Sequence, residues 1–358
     1  MTFDPALKKA PQIGATSVPN PAAAPVHTER FTATMVVDRI RKSRTPSARD
    51  AMAEPLYTIP APLGSTCAFS PDGQMLAVRN QEGIRLLVAR TGRLKSALSN
   101  SAESGRMDFS PDGKSFAFAG AKGIRVVRTE DGGLIKSIAT PATSIESLHF
   151  SSDGKRIAIT SLRPTIEIYN VESGMLEAAI KGEGLAYEAT FSANGKQLVT
   201  ASWNSDLLVW DTATWQIIRR LPYHGGLELP LALSSDGKYI ATVDNDNEVL
   251  IWDSSSDRPI KRFRGAVGHV TGLSFSSDRR TVFAVDYDDT SDIPTGSAGY
   301  VAWDFDSGAI TANRSPWQNA DGSPPARGVI SPDGRMFAFS GSPFVSGGVA
   351  VYTLQRAE

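Results

Sequence analysis

The sequence predicts an all-β fold, a seven-bladed β-propeller with an N-terminal extended arm. Three observations predict it. A turn-forming tetrapeptide recurs seven times, short runs of β-branched and aliphatic residues flank each copy, and the composition changes near residue 55. A repeat of this length, built from short strands, is typical of a ring of four-stranded sheets.

The recurring tetrapeptide has the form Ser-Pro-Asp-Gly and predicts a tight hairpin turn. Pro presets one backbone dihedral, Asp can bond the backbone two residues on, and Gly accepts a positive φ. The fourth positions are separated by 40, 41, 41, 42, 42 and 55 residues, which makes seven units. In the sixth unit Arg279 replaces Gly, so we expect either a strained turn or another turn type there. The copies are Ser70–Gly73, Ser110–Gly113, Ser151–Gly154, Ser192–Gly195, Ser234–Gly237, Ser276–Arg279 and Ser331–Gly334.

Each unit is predicted to contain four strands. Strand-length runs such as 196–200 and 207–210 lie between turn residues. A further turn is marked in several units by a dipeptide ending in Gly, as in Thr91-Gly92 and Ser173-Gly174. We therefore interpret each unit as strand, Asp-Gly turn, strand, loop, strand, turn and strand.

The number of fourth strands predicts how the ring closes. Six are found, at 94–98, 134–139, 176–181, 216–221, 259–264 and 309–314, but the seventh unit ends with its third strand at 349–354. A matching segment, 56–60, precedes the first unit. We predict that it becomes the outer strand of the last blade, which would protect an open sheet edge and hold both chain ends.

Composition and charge set few limits on function. The formal net charge of −1 gives no overall bias toward nucleic acid or an anionic membrane. The single cysteine, Cys67, rules out internal disulfides and cysteine-pair zinc sites, and its apolar neighbours predict a buried, inert thiol. We found neither a signal-peptide-like segment nor a run of 18 apolar residues, so we expect a cytoplasmic or otherwise intracellular protein without membrane insertion.

Between residues 56 and 354 the chain resembles the WD-repeat family. The Trp-Asp pair that ends the third strand occurs three times, Tyr169-Asn170 and Tyr352-Thr353 look like degenerate copies, and the pair is lost at Val127-Arg128 and Leu87-Val88. The intact pairs are Trp210-Asp211, Trp252-Asp253 and Trp303-Asp304. Bacterial Tol-type and lactonase-like propellers use similar turns, although the Trp-Asp pairs favour the WD-repeat family.

The resemblance implies a buried hydrogen-bond set within a blade, formed by a His, a polar residue, an Asp and the Trp. Asp246 stands at the family's Asp position, and Asn204 replaces it one blade earlier. The sixth blade keeps His269 and Trp303, but an insertion displaces the Asp. Every blade lacks part of the set, so the chain is expected to be a divergent member.

We searched next for catalytic or metal-binding residues. Of the four histidines, His27 lies in the arm, His224 lies in a loop, and His269 fits the family pattern. His149 holds the position that Asp108 holds one blade earlier, so the two side chains could be hydrogen-bonded. They form either a polar relay near the channel or a structural pair. The acidic insertion at 286–292 could bind a cation, or could be a solvated loop.

No phosphate-binding loop, Gly-x-Ser-x-Gly elbow or His-Glu-x-x-His motif occurs, so we expect no cofactor and no enzyme activity. Residues 1–55, rich in Pro and Ala at first and then basic, form the predicted arm, and residues 56–358 form the propeller. The arm could bind a partner, act as a linker, or contact RNA or DNA phosphates. The candidate partner-binding residues are the arm's Phe31, Arg39, Arg41, Lys42 and Arg44 and the aromatic residues Trp203, Tyr223 and Trp317, which we place in loops on one face.

Together these features predict a non-catalytic protein–protein interaction scaffold, a subunit of a larger complex, which binds through one loop face and the arm. Two alternatives remain open. One is a propeller enzyme such as a metal-assisted or lactonase-like hydrolase, and the other is a ribonucleoprotein component whose basic arm binds RNA.

Overall fold

The computed structural model describes most of the chain from residue 56 onward. The described residues are 56–59, 65–80, 82–99, 106–120, 122–142, 144–202, 206–223, 230–234, 236–253, 256–266, 269–276, 278–288, 297–317, 325–341 and 349–353. Within them every regular element is a β-strand. This part of the chain accordingly has no helix long and apolar enough to span a membrane.

The described strands form seven antiparallel sheets of four strands each, which are the predicted blades. Blade 1 contains β2 (Thr66–Phe69), β3 (Met75–Asn80), β4 (Gly83–Val88) and β5 (Leu94–Ser99). Blade 2 contains β6 (Met107–Phe109), β7 (Ser115–Gly120), β8 (Gly123–Arg128) and β9 (Leu134–Ile138). Blade 3 contains β10 (Ile145–Phe150), β11 (Arg156–Ser161), β12 (Arg163–Asn170) and β13 (Leu176–Lys181). Blades 4 and 5 contain β14 (Ala186–Phe191), β15 (Gln197–Ser202), β16 (Leu207–Asp211), β17 (Ile217–Leu221); and β18 (Ala232–Leu233), β19 (Tyr239–Val243), β20 (Val249–Asp253), β21 (Pro259–Phe263). Blade 6 contains β22 (His269–Phe275), β23 (Thr281–Asp288), β24 (Ser297–Asp304) and β25 (Ile310–Trp317), and blade 7 contains β26 (Pro325–Ile330), β27 (Met336–Gly341), β28 (Val349–Thr353) and β1 (Tyr57–Ile59).

The N-terminal strand β1 completes blade 7, as the strand count predicted. It pairs with β28 through Tyr57↔Val351, Thr58↔Ala350 and Ile59↔Val349. Tyr57 also donates a hydrogen bond of 2.5 Å from its hydroxyl to the carbonyl of Ala89 in blade 1. The closing strand therefore joins the first and last blades.

The innermost strands close a ring around a central channel. In sequence order β2, β6, β10, β14, β18, β22 and β26 each contact the next, and β26 contacts β2. The hydrophobic core lies between blades rather than inside one layer, because each of the seven buried clusters combines residues of two adjacent blades. Packing of neighbouring blades is therefore the main source of burial.

All seven Ser-x-Asp-Gly turns use the same hydrogen bonds. In each, the Ser hydroxyl donates to the Asp or Asn side chain at 2.5–2.8 Å, and the residue after the turn donates its N–H to the same oxygen. The turn glycines have φ between 66° and 70°. Arg279 adopts the same conformation with φ 60°, so the sixth unit keeps the turn type and takes the strained alternative.

The side chain of Arg279 offsets this strain by contacting blade 5. Its guanidinium forms an ion pair with Asp236 in the preceding turn. It also lies 5.2 Å from the ring centre of Tyr239 and 6.0 Å from that of Phe305.

Part of the blade 6 insertion lengthens a hairpin. β23 and β24 each contain eight residues and pair as far as Asp288↔Ser297. Asp286, the first residue of the predicted acidic loop, is buried on β23. Residues 289–292 lie outside the described residues, so the alternatives of a cation site and a solvated loop stay untested.

Candidate functional site

The register of the second and third strands confirms the alignment of the Trp position. Seven residues lie opposite equivalent partners: Trp210↔Leu198, Trp252↔Ile240, Trp303↔Val282, Tyr169↔Ile157, Tyr352↔Phe337, Val127↔Phe116 and Leu87↔Leu76. The position is therefore structurally the same in all blades, although only three keep the indole.

Two of the three indoles are braced by a threonine of their own blade. Trp210 donates from Nε1 to the hydroxyl of Thr200 at 3.0 Å, and Trp252 donates to Thr242 at 2.9 Å. Trp303 instead donates to the backbone carbonyl of Arg264 at 2.9 Å, because Ala284 occupies the threonine position.

The complete buried set that the family resemblance implies is not formed in blades 5 and 6. Asp246 is exposed in the turn between β19 and β20, and His269 is exposed at the start of β22. Asn204 lies outside the described residues. The threonine–indole bond is thus the part of the set that blades 4 and 5 retain.

A cluster of charged side chains lies on the innermost strands of blades 2 to 4. His149 on β10 approaches Glu188 on β14, with 2.7 Å between Nε2 and Oε1. Its Nδ1 lies 3.7 Å from Oδ2 of Asp108 on β6. The same Asp108 oxygen accepts the backbone N–H of Phe150 at 2.9 Å. We call Asp108, His149 and Glu188 the channel cluster.

The predicted association of Asp108 with His149 is present as a 3.7 Å contact, but sequence reasoning missed Glu188, the closer partner. The residue of β14 that aligns with His149 is Thr190, whereas the histidine reaches Glu188, two positions earlier. β14 has a register shift between Ala186 and Glu188. The sequence did contain a signal for this contact, because Glu188 places a carboxylate on the innermost strand next to that of His149.

Neighbouring polar contacts also cross blade boundaries. Arg106 lies 3.7 Å from Glu146, which accepts a hydrogen bond from Ser144 at 2.8 Å. The Ser147 hydroxyl is 2.9 Å from that of Thr160 and accepts the N–H of Ala189 at 3.2 Å. These bonds satisfy backbone and side-chain groups of innermost strands, which is a structural role.

The surroundings of His149 fix its protonation state. Burial lowers the pKa of the imidazole, but the charge of Glu188, the 2.7 Å bond to it and the nearby Asp108 outweigh this effect and raise the pKa to about 10. An imidazole that is protonated near neutral pH cannot act there as a general base. Within the described chain, no group of three His, Cys, Asp or Glu side chains is placed to hold a metal ion.

Cys67 agrees in part with the sequence interpretation. The residue is partly exposed rather than buried, and it forms no disulfide. Desolvation of the sulfur atom nevertheless raises the pKa of the thiol to about 12. The thiol therefore stays protonated, as expected for an inert cysteine.

Of the predicted contact residues, Tyr223 is described and it is buried. Its side chain is 5% exposed, and its hydroxyl donates to the carbonyl of Val243 at 2.6 Å. The predicted role as a surface contact is therefore wrong for Tyr223, which anchors its loop to blade 5. Trp317 ends strand β25 and does not lie in a loop. The other candidates, namely Trp203, Phe31, Arg39, Arg41, Lys42 and Arg44, lie outside the described residues, as do His27 and His224.

Comparison with known families assigns the repeat. The family model described as "WD domain, G-beta repeat" matches residues 183–211 and 218–253, which form most of blades 4 and 5. No curated protein matches the sequence significantly. The matched blades are those with the threonine-braced indoles, and the other five blades have the same four-stranded topology. Two blades thus match the WD-repeat family model, and all seven have the four-stranded topology of a β-propeller blade.

Proposed function

We propose that the protein is a non-catalytic interaction scaffold and a subunit of a larger assembly. WD-repeat propellers are commonly protein-interaction scaffolds. The proposed contact surfaces are one loop face of the propeller and the N-terminal arm.

The observation that carries the proposal is that the side chains of the channel cluster bind one another and the backbone of the ring. Both nitrogens of His149 face carboxylates of the adjacent blades, and one of these carboxylates also accepts the Phe150 N–H. A group held in this way joins three blades, whereas a catalytic base must be free to exchange a proton with substrate. The geometry therefore supports a rigid ring better than a reaction centre.

Purification of the tagged full-length chain from its native source tests the proposal. We expect at least one protein to co-migrate with the chain in a stoichiometric amount. A strictly monomeric chain that carries stoichiometric metal would contradict the proposal and favour a hydrolase. Among the described residues no observation favours the enzyme or RNA-binding alternatives.

A further inference from the structure

The outer strands of the propeller differ in how their positive charges are balanced. In blades 4 and 5 the three arginines of these strands form ion pairs within the ring, and the Lys261 amine donates a hydrogen bond to the Asp306 carbonyl at 2.7 Å. Arg219 lies 2.7 Å from Asp257, and Arg220 forms an ion pair with Glu183. Arg262 lies 3.3 Å from Asp244.

Blades 1 and 2 leave the corresponding charges unbalanced. Arg90 and Arg93 are exposed in the turn before β5, Lys95 is exposed on β5, and Lys136 is half-exposed on β9. None of the four forms an ion pair with any described residue. The adjacent turn of blade 2 contains two carboxylates. Asp131 is already paired with Arg128 at 2.9 Å, so Glu130 alone is left to offset the four cations. Positive charge is therefore in excess along this edge.

Apolar side chains accompany these charges. Leu94 is 52% exposed, and Leu134 and Ile135 are 51% and 44% exposed. The two strands are brought together by the Gly132 turn, where a Cβ would lie 2.5 Å from the Leu98 side chain of β5. The exposed residues of β5 and β9 therefore belong to one continuous part of the perimeter.

The backbone of both strands is open on its outer side. β5 pairs with β4 alone and β9 pairs with β8 alone among the described strands. The outward N–H and C=O groups of such an edge can accept an additional strand. An added strand would gain backbone hydrogen bonds from the edge and side-chain contacts from the residues beside it.

We propose that this perimeter binds an extended acidic and apolar segment of a partner protein as an additional strand. The surface consists of Arg93, Leu94, Lys95, Leu134, Ile135 and Lys136, which we call the blade 1–2 rim. The inference rests on the proposed scaffold function and names the surface and the chemistry of the partner. Acidic side chains of the segment neutralise the unpaired cations, and apolar ones cover Leu94, Leu134 and Ile135. In blades 4 and 5 the three arginines of the outer strands are already paired with carboxylates, so these edges attract the segment less.

Zero-length crosslinking in native extract tests the inference. A carbodiimide joins lysine amines to carboxylates that are in direct contact, and mass spectrometry identifies both residues. The full-length tagged chain is compared with a rim variant, Arg93→Glu/Lys95→Glu/Lys136→Glu. A matched control, Lys155→Glu/Lys196→Glu/Lys238→Glu, changes the net charge equally at exposed lysines that form no ion pair with a described residue. Thermal unfolding shows that each variant is folded.

We expect crosslinks from Lys95 or Lys136 to acidic residues of another protein. The rim variant should lower the recovery of that protein about tenfold or more, while the control changes it less than about twofold, because charge reversal at a contact acts locally. A stoichiometric partner whose recovery is unaffected by the rim variant, or which crosslinks elsewhere, would overturn the inference and leave the scaffold function standing. Crosslinks between two copies of the chain would also overturn it. Absence of any partner would overturn both, and the rim lysines would then serve to prevent edge-to-edge pairing.

Discussion

Blades 4 and 5 hold an indole by a hydrogen bond within the blade, whereas blades 1 and 2 fill the same position with aliphatic side chains. In blade 5 the Trp252 indole is bound to Thr242 of the same sheet. In blade 2 Val127 replaces the indole, and Phe118 stands at the threonine position. The large side chain thus lies on the second strand and the small one on the third, the reverse of blade 5. The ring centre of Phe116 lies 4.8 Å from that of Phe109 and 6.0 Å from that of Phe118.

This difference shows that the Trp-Asp pattern is one of several ways to fill a blade junction. A blade without the indole keeps its strand register as long as apolar volume is preserved across the pair. The same two regions differ in charge, since the arginines of β17 and β21 form ion pairs within the ring, whereas the cations of the blade 1–2 rim form none with a described residue. Loss of the pattern and a basic perimeter thus coincide in blades 1 and 2.

The largest effect should come from removing the strand on which blade 1 depends. Deletion of residues 1–60 removes β1, with its pairing to β28 and the Tyr57 bond to Ala89. We expect loss of cooperative thermal unfolding, because two blades then expose apolar surface. Calorimetry measures this, with deletion of residues 1–50 as the control that keeps β1. An unchanged unfolding midpoint in the longer deletion would show that the closure is not required.

Substitution of the internal braces should have a smaller but clear effect. Trp252→Ala should lower the free energy of unfolding by about 3–5 kcal/mol through the cavity it creates. Thr242→Val should cost about 1–3 kcal/mol, because the indole N–H is left buried without its acceptor. Urea denaturation measures both. Val127→Ala in blade 2 is the matched control and should cost about 2 kcal/mol or less, since it removes less volume. Equal losses at Trp252 and Val127 would contradict the distinction between the two regions.

The channel cluster predicts a decrease in stability at alkaline pH. The pKa of His149 is raised in the folded state from 6.5 to about 10. Its stabilising contribution is therefore fully present below pH 6.5 and is lost as pH rises through 10. Because the side chain is 37% exposed, solvent screening limits this contribution to about 1–2 kcal/mol.

The measurement compares wild type with His149→Gln by urea denaturation at pH 6 and pH 9.5. The difference in free energy of unfolding between the two proteins should shrink at the higher pH. Other titrating groups are common to both proteins and cancel. A difference that is the same at both pH values would show that the imidazolium does not join the blades.

The smallest effect is expected at the turn of blade 6. Arg279→Gly relieves a positive φ, worth about 1 kcal/mol. It also removes the ion pair with Asp236 and the contact with Tyr239, which together are worth about the same. The net change should lie within about 0.5 kcal/mol, by chemical denaturation. As the control, Gly237→Ala should cost about 1 kcal/mol, because it adds strain without a compensating contact. A decrease of more than 2 kcal/mol in the free energy of unfolding of Arg279→Gly would show that the Arg279 side chain is a main stabiliser of the contact between blades 5 and 6.

Much of the fold could be predicted from the sequence because the turns repeat. The Ser-x-Asp-Gly copies locate every first hairpin, and the missing fourth strand locates the closing segment at 56–60. Both follow from local turn chemistry and from counting strands. The conformation of Arg279 could not be decided, because its outcome depends on Asp236 and Tyr239 of another blade.

The candidate sites were harder to predict because they form between blades. The position of His149 indicated Asp108 correctly, since equivalent positions face one another across a junction. Glu188 lies beyond a register shift, and such a shift has no clear signal in one sequence. Tyr223 looked like a loop aromatic, but its ring is buried against blade 5, which local sequence does not show. The blade 1–2 rim depends on which cations find partners, and that requires three-dimensional contacts.

Hydrogen exchange on the complex purified from the native source tests the central claim most directly. The claim is that the ring acts as a scaffold whose partner adds a strand to the open edge of blade 1 or blade 2. We predict that partner binding slows amide exchange in β5 or β9 and leaves β17 and β21, the outer strands of blades 4 and 5, unchanged. Protection confined to β17 and β21, or no change in any outer strand, would contradict it.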